Sequence, residues 1–130
     1  MKSSGLSRFT PYLLSVLRLV VAFIYAAHGT QKLFGVPGHP FHAPIFAATM
    51  MVAAGVIETT GGILMFLGLF TPPVAFVLSG QMAFAYFKQH APGGVWPIVN
   101  GGELAVLYCF LWLFFSVAGP GPISIDAMRR

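Results

Sequence analysis

Three charged side chains interrupt long apolar stretches of this chain: Arg18, Glu58 and Glu103. Each lies where a helix of membrane-spanning length would run. A charge inside a membrane is costly unless it faces the protein interior or a partner, and such charges often mark function. The chain holds 3 acidic residues, the third being Asp126, so two of them fall within apolar stretches. These positions predict polar contacts between buried helix faces.

The composition places the chain among membrane proteins. Hydrophobic residues make up 57% of it and charged residues 8%, with a mean hydropathy of +0.82. A soluble domain carries about 25% charged residues, so this chain could not cover a soluble surface. The net charge of +4 comes mostly from the chain ends. Basic ends on an apolar chain indicate membrane topology and lipid headgroups rather than nucleic-acid binding.

Four apolar stretches have the length, roughly 20 residues, that a helix needs to cross the hydrocarbon of a bilayer. Segments rich in glycine and proline separate them. The predicted fold is all-α, an integral membrane four-helix bundle in which residues 1–130 form a single membrane domain. The predicted spans cover residues 11–34, 44–70, 72–90 and 98–118.

Four spans place both chain ends on the same side of the membrane. Basic residues are concentrated in cytoplasmic segments of membrane proteins. The predicted outer helix ends carry Lys32 and Lys88, whereas the two tails carry more basic residues. The sequence therefore predicts cytoplasmic termini, and the tail residues that support this are Lys2, Arg8, Arg129 and Arg130.

Helix spacing predicts a central polar pair. At 1.5 Å per residue, Arg18 lies roughly 10 Å and Glu58 roughly 18 Å above the inner ends of their predicted helices. An extended arginine side chain can close that difference. We therefore expect Arg18 and Glu58 to pair in the middle of the bundle.

A second polar layer is predicted at the outer end of the bundle. His28 and Lys32 lie one turn apart on the first helix, and Glu103 lies near the outer end of the fourth. Gln81 and Lys88 share a face of the third helix. Two interpretations of these layers remain open. They are either structural pairs that lock the helices together, or the lining of an outward-opening cavity that holds a small molecule or relays protons.

The histidines and the cysteine give no pattern for a metal or a disulfide. His39 and His42 form an H-x-x-H in a loop, with His28 and His90 near the same end of the bundle. Imidazoles can bind metals or haem, but no helical i, i+4 pair, cysteine or carboxylate accompanies them. We therefore expect no metal site, and Cys109 has no second cysteine to pair with.

Several ordered motifs carry a family resemblance. They are Arg18 with AAHGTQKLFG at 26–35, GVIETTGGILMFLGLFT at 55–71, NGGELAVLYCFLWL at 100–113 and GPGPISID at 119–126. Together they resemble the DoxX family of small four-helix bacterial membrane proteins. The resemblance implies a multi-pass protein of the bacterial cytoplasmic (inner) membrane, associated with a quinone-linked oxidoreductase. Four residues match the family's polar positions, without implied catalytic roles: Arg18, Lys32, Glu58 and Glu103.

The functional prediction combines these observations. The chain is expected to be the membrane subunit of a redox system that binds a quinone or a similar small molecule, or that anchors a catalytic partner. Its expected partners are the lipid bilayer and a soluble or membrane oxidoreductase subunit, with self-association left open. The alternatives are a non-catalytic scaffold or assembly protein and a small proton-linked transporter. The sequence leaves open whether the protein is an enzyme.

Overall fold

The computed structural model describes residues 5–39 and 45–130, and the regular secondary structure within them is helical. The all-α prediction is confirmed for this part of the chain. Lys2, His42 and the predicted start of the second span at Pro44 lie outside the described residues. The helices are α1 (Thr10–Phe34), α2 (Ile45–Leu67), α3 (Thr71–Ala85), α4 (Pro97–Asn100), α5 (Glu103–Ala118) and α6 (Ile125–Met128).

Two helical segments within the described residues are long and apolar enough to cross a membrane, Ser7–Phe34 and Ala48–Leu67. The first consists of the 3-10 turn Ser7–Phe9 and α1, and α5 is a shorter apolar helix. Large apolar side chains point outward along the helices. An exterior of this kind suits lipid, because soluble monomers rarely expose large contiguous apolar patches. Phe23, Phe76 and Phe110, for example, are each more than half exposed.

Small residues set the packing of α1 against α2. A Cβ atom at Gly62 would lie 2.8 Å from the Cβ atom of Ala26 and 2.9 Å from its Cα atom, so the two backbones are nearly in contact. Gly29 faces the backbone of Thr59 equally closely. The step from Ala26 to Gly29, three residues forward along α1, therefore matches the step from Gly62 to Thr59, three residues backward along α2. The helices are antiparallel in this register, and small residues allow the close approach.

The core lies where α1, α2, α3 and α5 meet. Trp112 and Tyr25 stack edge to face with ring centroids 5.3 Å apart. The Ser79 hydroxyl donates to the carbonyl oxygen of Cys109 over 2.7 Å and ties α3 to α5. The fully buried apolar and aromatic side chains of this core include Tyr25, Met65, Leu78, Trp112 and Phe115.

The fourth apolar stretch forms two helices where the sequence predicted one continuous helix over 98–118. Gly101 adopts a left-handed conformation with φ of 75°, which ends α4. The Asn100 side-chain oxygen accepts a 2.8 Å hydrogen bond from the Gly102 N–H group, and α5 begins at Glu103. A glycine adopts positive φ without steric cost, so the Gly-Gly pair turns the chain before α5.

The C-terminal segment (residues 119–128) folds back against the end of α2 and the start of α3. The Asp126 carboxylate accepts hydrogen bonds from the N–H groups of Phe70, at 2.9 Å, and Thr71, at 2.8 Å, and so caps the start of α3. Burial by itself raises the pKa of Asp126. The hydrogen bonds from Thr71 and Phe70, together with the charge of Arg129, outweigh burial and hold that pKa below its usual value.

Candidate ligand-binding site

An ion pair between α1 and α2 forms the centre of the site. The Lys32 ammonium, from the last turn of α1, contacts both oxygens of the Glu58 carboxylate, at 2.6 and 2.7 Å. The Lys32 side chain is 19% exposed and the Glu58 side chain 2% exposed. Gly29 lets the two helices approach closely beside this pair, so the Lys32 and Glu58 side chains contact each other directly.

A polar chain extends the ion pair to α3. The Gln81 side-chain amide donates to Glu58 Oε1 over 3.0 Å, and the Tyr25 hydroxyl donates to Gln81 Oε1. Glu58 therefore accepts hydrogen bonds from both Lys32 and Gln81. This satisfies a carboxylate whose burial would otherwise be strongly unfavourable.

A cavity of about 280 Å³ opens beside the pair, between the α1–α2 and α3–α5 halves of the protein. Its wall combines one charged pair and two imidazoles with apolar side chains, a mixture typical of small-molecule sites. The lining residues are Tyr25, His28, Lys32, Glu58, Met82, Ala85, Gln89, His90, Gly101, Leu104, Ala105 and Tyr108.

One wall of the cavity is formed by a π-helical turn, Tyr86–His90, which continues α3. Such turns are rare and frequently occur at functional sites. His90 Nδ1 lies 3.3 Å from the carbonyl oxygen of Asn100. Because a carbonyl oxygen can only accept, this contact places a proton on Nδ1. The Asn100 side chain is itself held by the carbonyl oxygen of Gly94, at 2.9 Å.

The predicted Arg18–Glu58 pair is wrong. The buried Arg18 guanidinium instead donates to the carbonyl oxygens of Pro120, Ile123 (2.8 Å) and Phe66 (3.3 Å). It therefore binds the C-terminal segment and the end of α2.

The helix register explains this correction. Gly29 faces Thr59, the neighbour of Glu58, and Arg18 lies eleven residues before Gly29. That spacing amounts to about 16 Å along the helix axis, which is beyond the reach of an arginine side chain. The depth estimate from the sequence assumed that the start of α1 and the end of α2 lie at the same level. In the structure, the start of α1 extends beyond the end of α2.

The structure brings together part of the predicted outer layer. His28 and Lys32 share the cavity, but Lys32 pairs with Glu58 and not with Glu103. Glu103 and Lys88 are exposed and do not line the cavity. Glu103 lies on the same helix face as Leu107, which is 60% exposed. That face of α5 points outward.

Sequence reasoning missed the α5 contribution to the cavity. Ala105 and Tyr108 lie on the inward face of α5, which continues through Trp112 and Phe115. The spacing of Tyr108, Trp112 and Phe115 by four and three residues is the signal that would have identified this face. The Glu103 charge drew attention to the opposite face instead.

The described residues contain no group of three or more histidine, cysteine, aspartate or glutamate side chains placed to hold a metal ion. His28 and His90 line the cavity from different helices, where their ring nitrogens can form hydrogen bonds.

Helices long enough to cross a bilayer, with large apolar side chains on their outer surfaces, are typical of an integral membrane protein. Sequence comparison agrees: the DoxX family profile matches residues 13–91, and the chain belongs to the DoxX family of membrane proteins. An uncharacterized protein of Haemophilus influenzae is 42% identical over 95% of both chains. The inner membrane protein YphA of Escherichia coli is 27% identical over 89% of both chains. No solved structure matches.

Proposed function

We propose that the chain forms a four-helix bundle in the bacterial inner membrane, with spans near 11–34, 44–70, 72–90 and 98–118 and both termini in the cytoplasm. The name of the Escherichia coli relative supports the inner membrane. The continuous helical stretch from Thr71 to His90 and the α4–α5 pair provide the third and fourth crossings. A reporter fused after Arg130 should be active only as a cytoplasmic reporter. Periplasmic activity of that fusion would contradict the orientation.

The function that the geometry supports best is binding of a quinone-type molecule by the membrane subunit of a redox system. The observation that carries it is the bidentate Lys32–Glu58 pair in the wall of an open cavity whose other walls are mainly apolar. A quinone supplies oxidation–reduction chemistry, which the side chains lining the cavity do not provide. It consists of a flat apolar ring with acceptor oxygens, and the cavity offers matching walls and donors.

The residues of the cavity have distinct roles in this proposal. Met82 and Leu104 provide apolar contact for a ring. His28 lines the cavity one helical turn from Lys32 and can form a hydrogen bond to a bound molecule. Lys32 and Glu58 neutralise each other, so the cavity suits an uncharged molecule better than an anion or a cation. The proposal includes a soluble or membrane oxidoreductase that would use this subunit. It also includes self-association of the chain.

Filling the cavity tests this function. Ala105 lies on the cavity wall, so Ala105→Phe should occupy the space without removing any charge. We expect purified Ala105→Phe protein to bind added menadione at least about tenfold more weakly than wild type in equilibrium dialysis, an affinity loss of about 1.4 kcal/mol.

Leu107→Phe is the matched control, because Leu107 is on the outward face of the same helix. It should bind menadione as the wild type does. Equal binding by both variants would place the site elsewhere, and absence of binding by the wild type would contradict the proposed function.

A scaffold role is the second candidate, and one observation favours it. Lys32, Glu58, Gln81 and Tyr25 satisfy one another and join three helices, as a structural lock would. A scaffold would co-purify with a stable protein partner, and its association with that partner would be insensitive to Ala105→Phe. Menadione binding that Ala105→Phe abolishes would favour the ligand site instead.

A further inference from the structure

The hydroxyl group of Tyr108 is buried and has no hydrogen-bond partner in the part of the chain that the structure describes. Tyr108 is 5% exposed and lines the cavity. Its ring packs edge-on against Tyr25, with centroids 5.0 Å apart, and against His28, at 6.1 Å. A buried donor without an acceptor is unfavourable, and folded proteins seldom leave one unsatisfied. The position therefore calls for an acceptor that the described residues do not supply.

The ion pair and the Tyr25 hydroxyl differ from the Tyr108 hydroxyl in this respect. Lys32, Glu58 and the Tyr25 hydroxyl are all engaged with protein partners. The Trp112 indole N–H group is also buried and unpartnered, but Trp112 does not line the cavity. Among the described residues, Tyr108 is thus a buried donor without a partner on a side chain that lines the cavity.

We infer, on the basis of the proposed function, that Tyr108 is the specificity residue of the cavity and donates a hydrogen bond to an uncharged carbonyl oxygen of the bound molecule. The charge balance favours an uncharged acceptor. A carboxylate or phosphate close to Tyr108 would find the Lys32 ammonium already paired with Glu58. A neutral carbonyl oxygen needs no cation. Tyr108 therefore selects carbonyl-bearing rings over hydrocarbons of the same shape.

The test compares two molecules that share a ring skeleton. Menadione carries two carbonyl groups, and 2-methylnaphthalene carries none. We expect the wild-type protein to bind menadione more tightly than 2-methylnaphthalene in equilibrium dialysis at matched detergent concentration. Tyr108→Phe should weaken menadione binding about fivefold, the effect of losing one neutral hydrogen bond. The same variant should leave 2-methylnaphthalene binding unchanged.

Two further measurements separate a binding effect from a folding effect. Tyr12→Phe removes a hydroxyl from an exposed tyrosine outside the cavity, and it should bind both molecules as the wild type does. The melting temperature of ligand-free Tyr108→Phe should equal or exceed that of wild type, because the lost hydroxyl has no protein partner.

The outcomes distinguish this inference from the proposed function. Menadione affinity that is equal in wild type and Tyr108→Phe would overturn the role of Tyr108 and leave the cavity as a binding site. If Tyr108→Phe lowers the affinity for menadione and for 2-methylnaphthalene equally, Tyr108 shapes the cavity and does not recognise a carbonyl group. Absence of menadione binding by the wild type would overturn the proposed function and this inference with it.

Discussion

Replacing Lys32 with methionine should destabilise the protein by about 3–5 kcal/mol, because it leaves the Glu58 carboxylate buried without its cation. The methionine side chain is similar in length to lysine and replaces its aliphatic part, so the loss of stability reports the missing charge and not lost packing. Unfolding of the detergent-solubilised protein measures the effect. Lys88→Met is the matched control, since Lys88 is exposed, and it should change stability by less than about 0.5 kcal/mol.

The double variant Lys32→Met with Glu58→Gln shows whether the two residues pair. A glutamine at position 58 carries no charge and can still accept from Gln81, so most of the lost stability should return. Coupling of this kind between neighbouring residues is what a double-mutant cycle detects. If the two single changes add without coupling, the ion pair does not form in the membrane protein.

Replacing Arg18 with methionine should cost about 3 kcal/mol and release the C-terminal segment. Arg18 donates to the carbonyl oxygens of Pro120, Ile123 and Phe66, and a hydrogen bond from a charged donor contributes about 1.5–3 kcal/mol. Hydrogen exchange should therefore accelerate in residues 119–128. Arg18→Lys should recover only part of the stability, because an ammonium group cannot reproduce the planar fork of a guanidinium.

Two comparisons make the Arg18 result specific. Arg8→Met removes an exposed arginine near the same end of the protein and should leave exchange in residues 119–128 unchanged. Lys32→Met should lower global stability without accelerating exchange in that segment selectively. Unchanged exchange in Arg18→Met would contradict the contacts of Arg18 with the C-terminal segment.

The helical class could be predicted from the sequence, because apolar stretches and glycine–proline breakers are local features. The pairing of charges could not, because it depends on how far one helix is displaced along its neighbour. Arg18 and Glu58 have suitable chemistry and similar predicted depths. The packing of Gly29 against Thr59 and of Gly62 against Ala26 sets a register that separates Arg18 from Glu58 and brings Lys32 to Glu58.

The orientation of α5 was the second feature that local reasoning could not establish. A charge is conspicuous in an apolar helix, so Glu103 suggested an inward face. Glu103 is the first residue of α5, where its carboxylate can remain in a polar environment, and it needs no buried partner. The aromatic spacing through Tyr108 and Trp112 was the better indicator, because large rings fill the core between helices.

Native mass spectrometry of the gently solubilised wild-type protein tests most directly the claim that the cavity holds a small molecule. We expect a species in which each chain carries one bound molecule with the mass of a membrane quinone, and we expect the Ala105→Phe protein purified in the same way to lack it. Ligand-free wild-type protein, or a complex with a second protein that carries no small molecule, would contradict the ligand site and favour the scaffold.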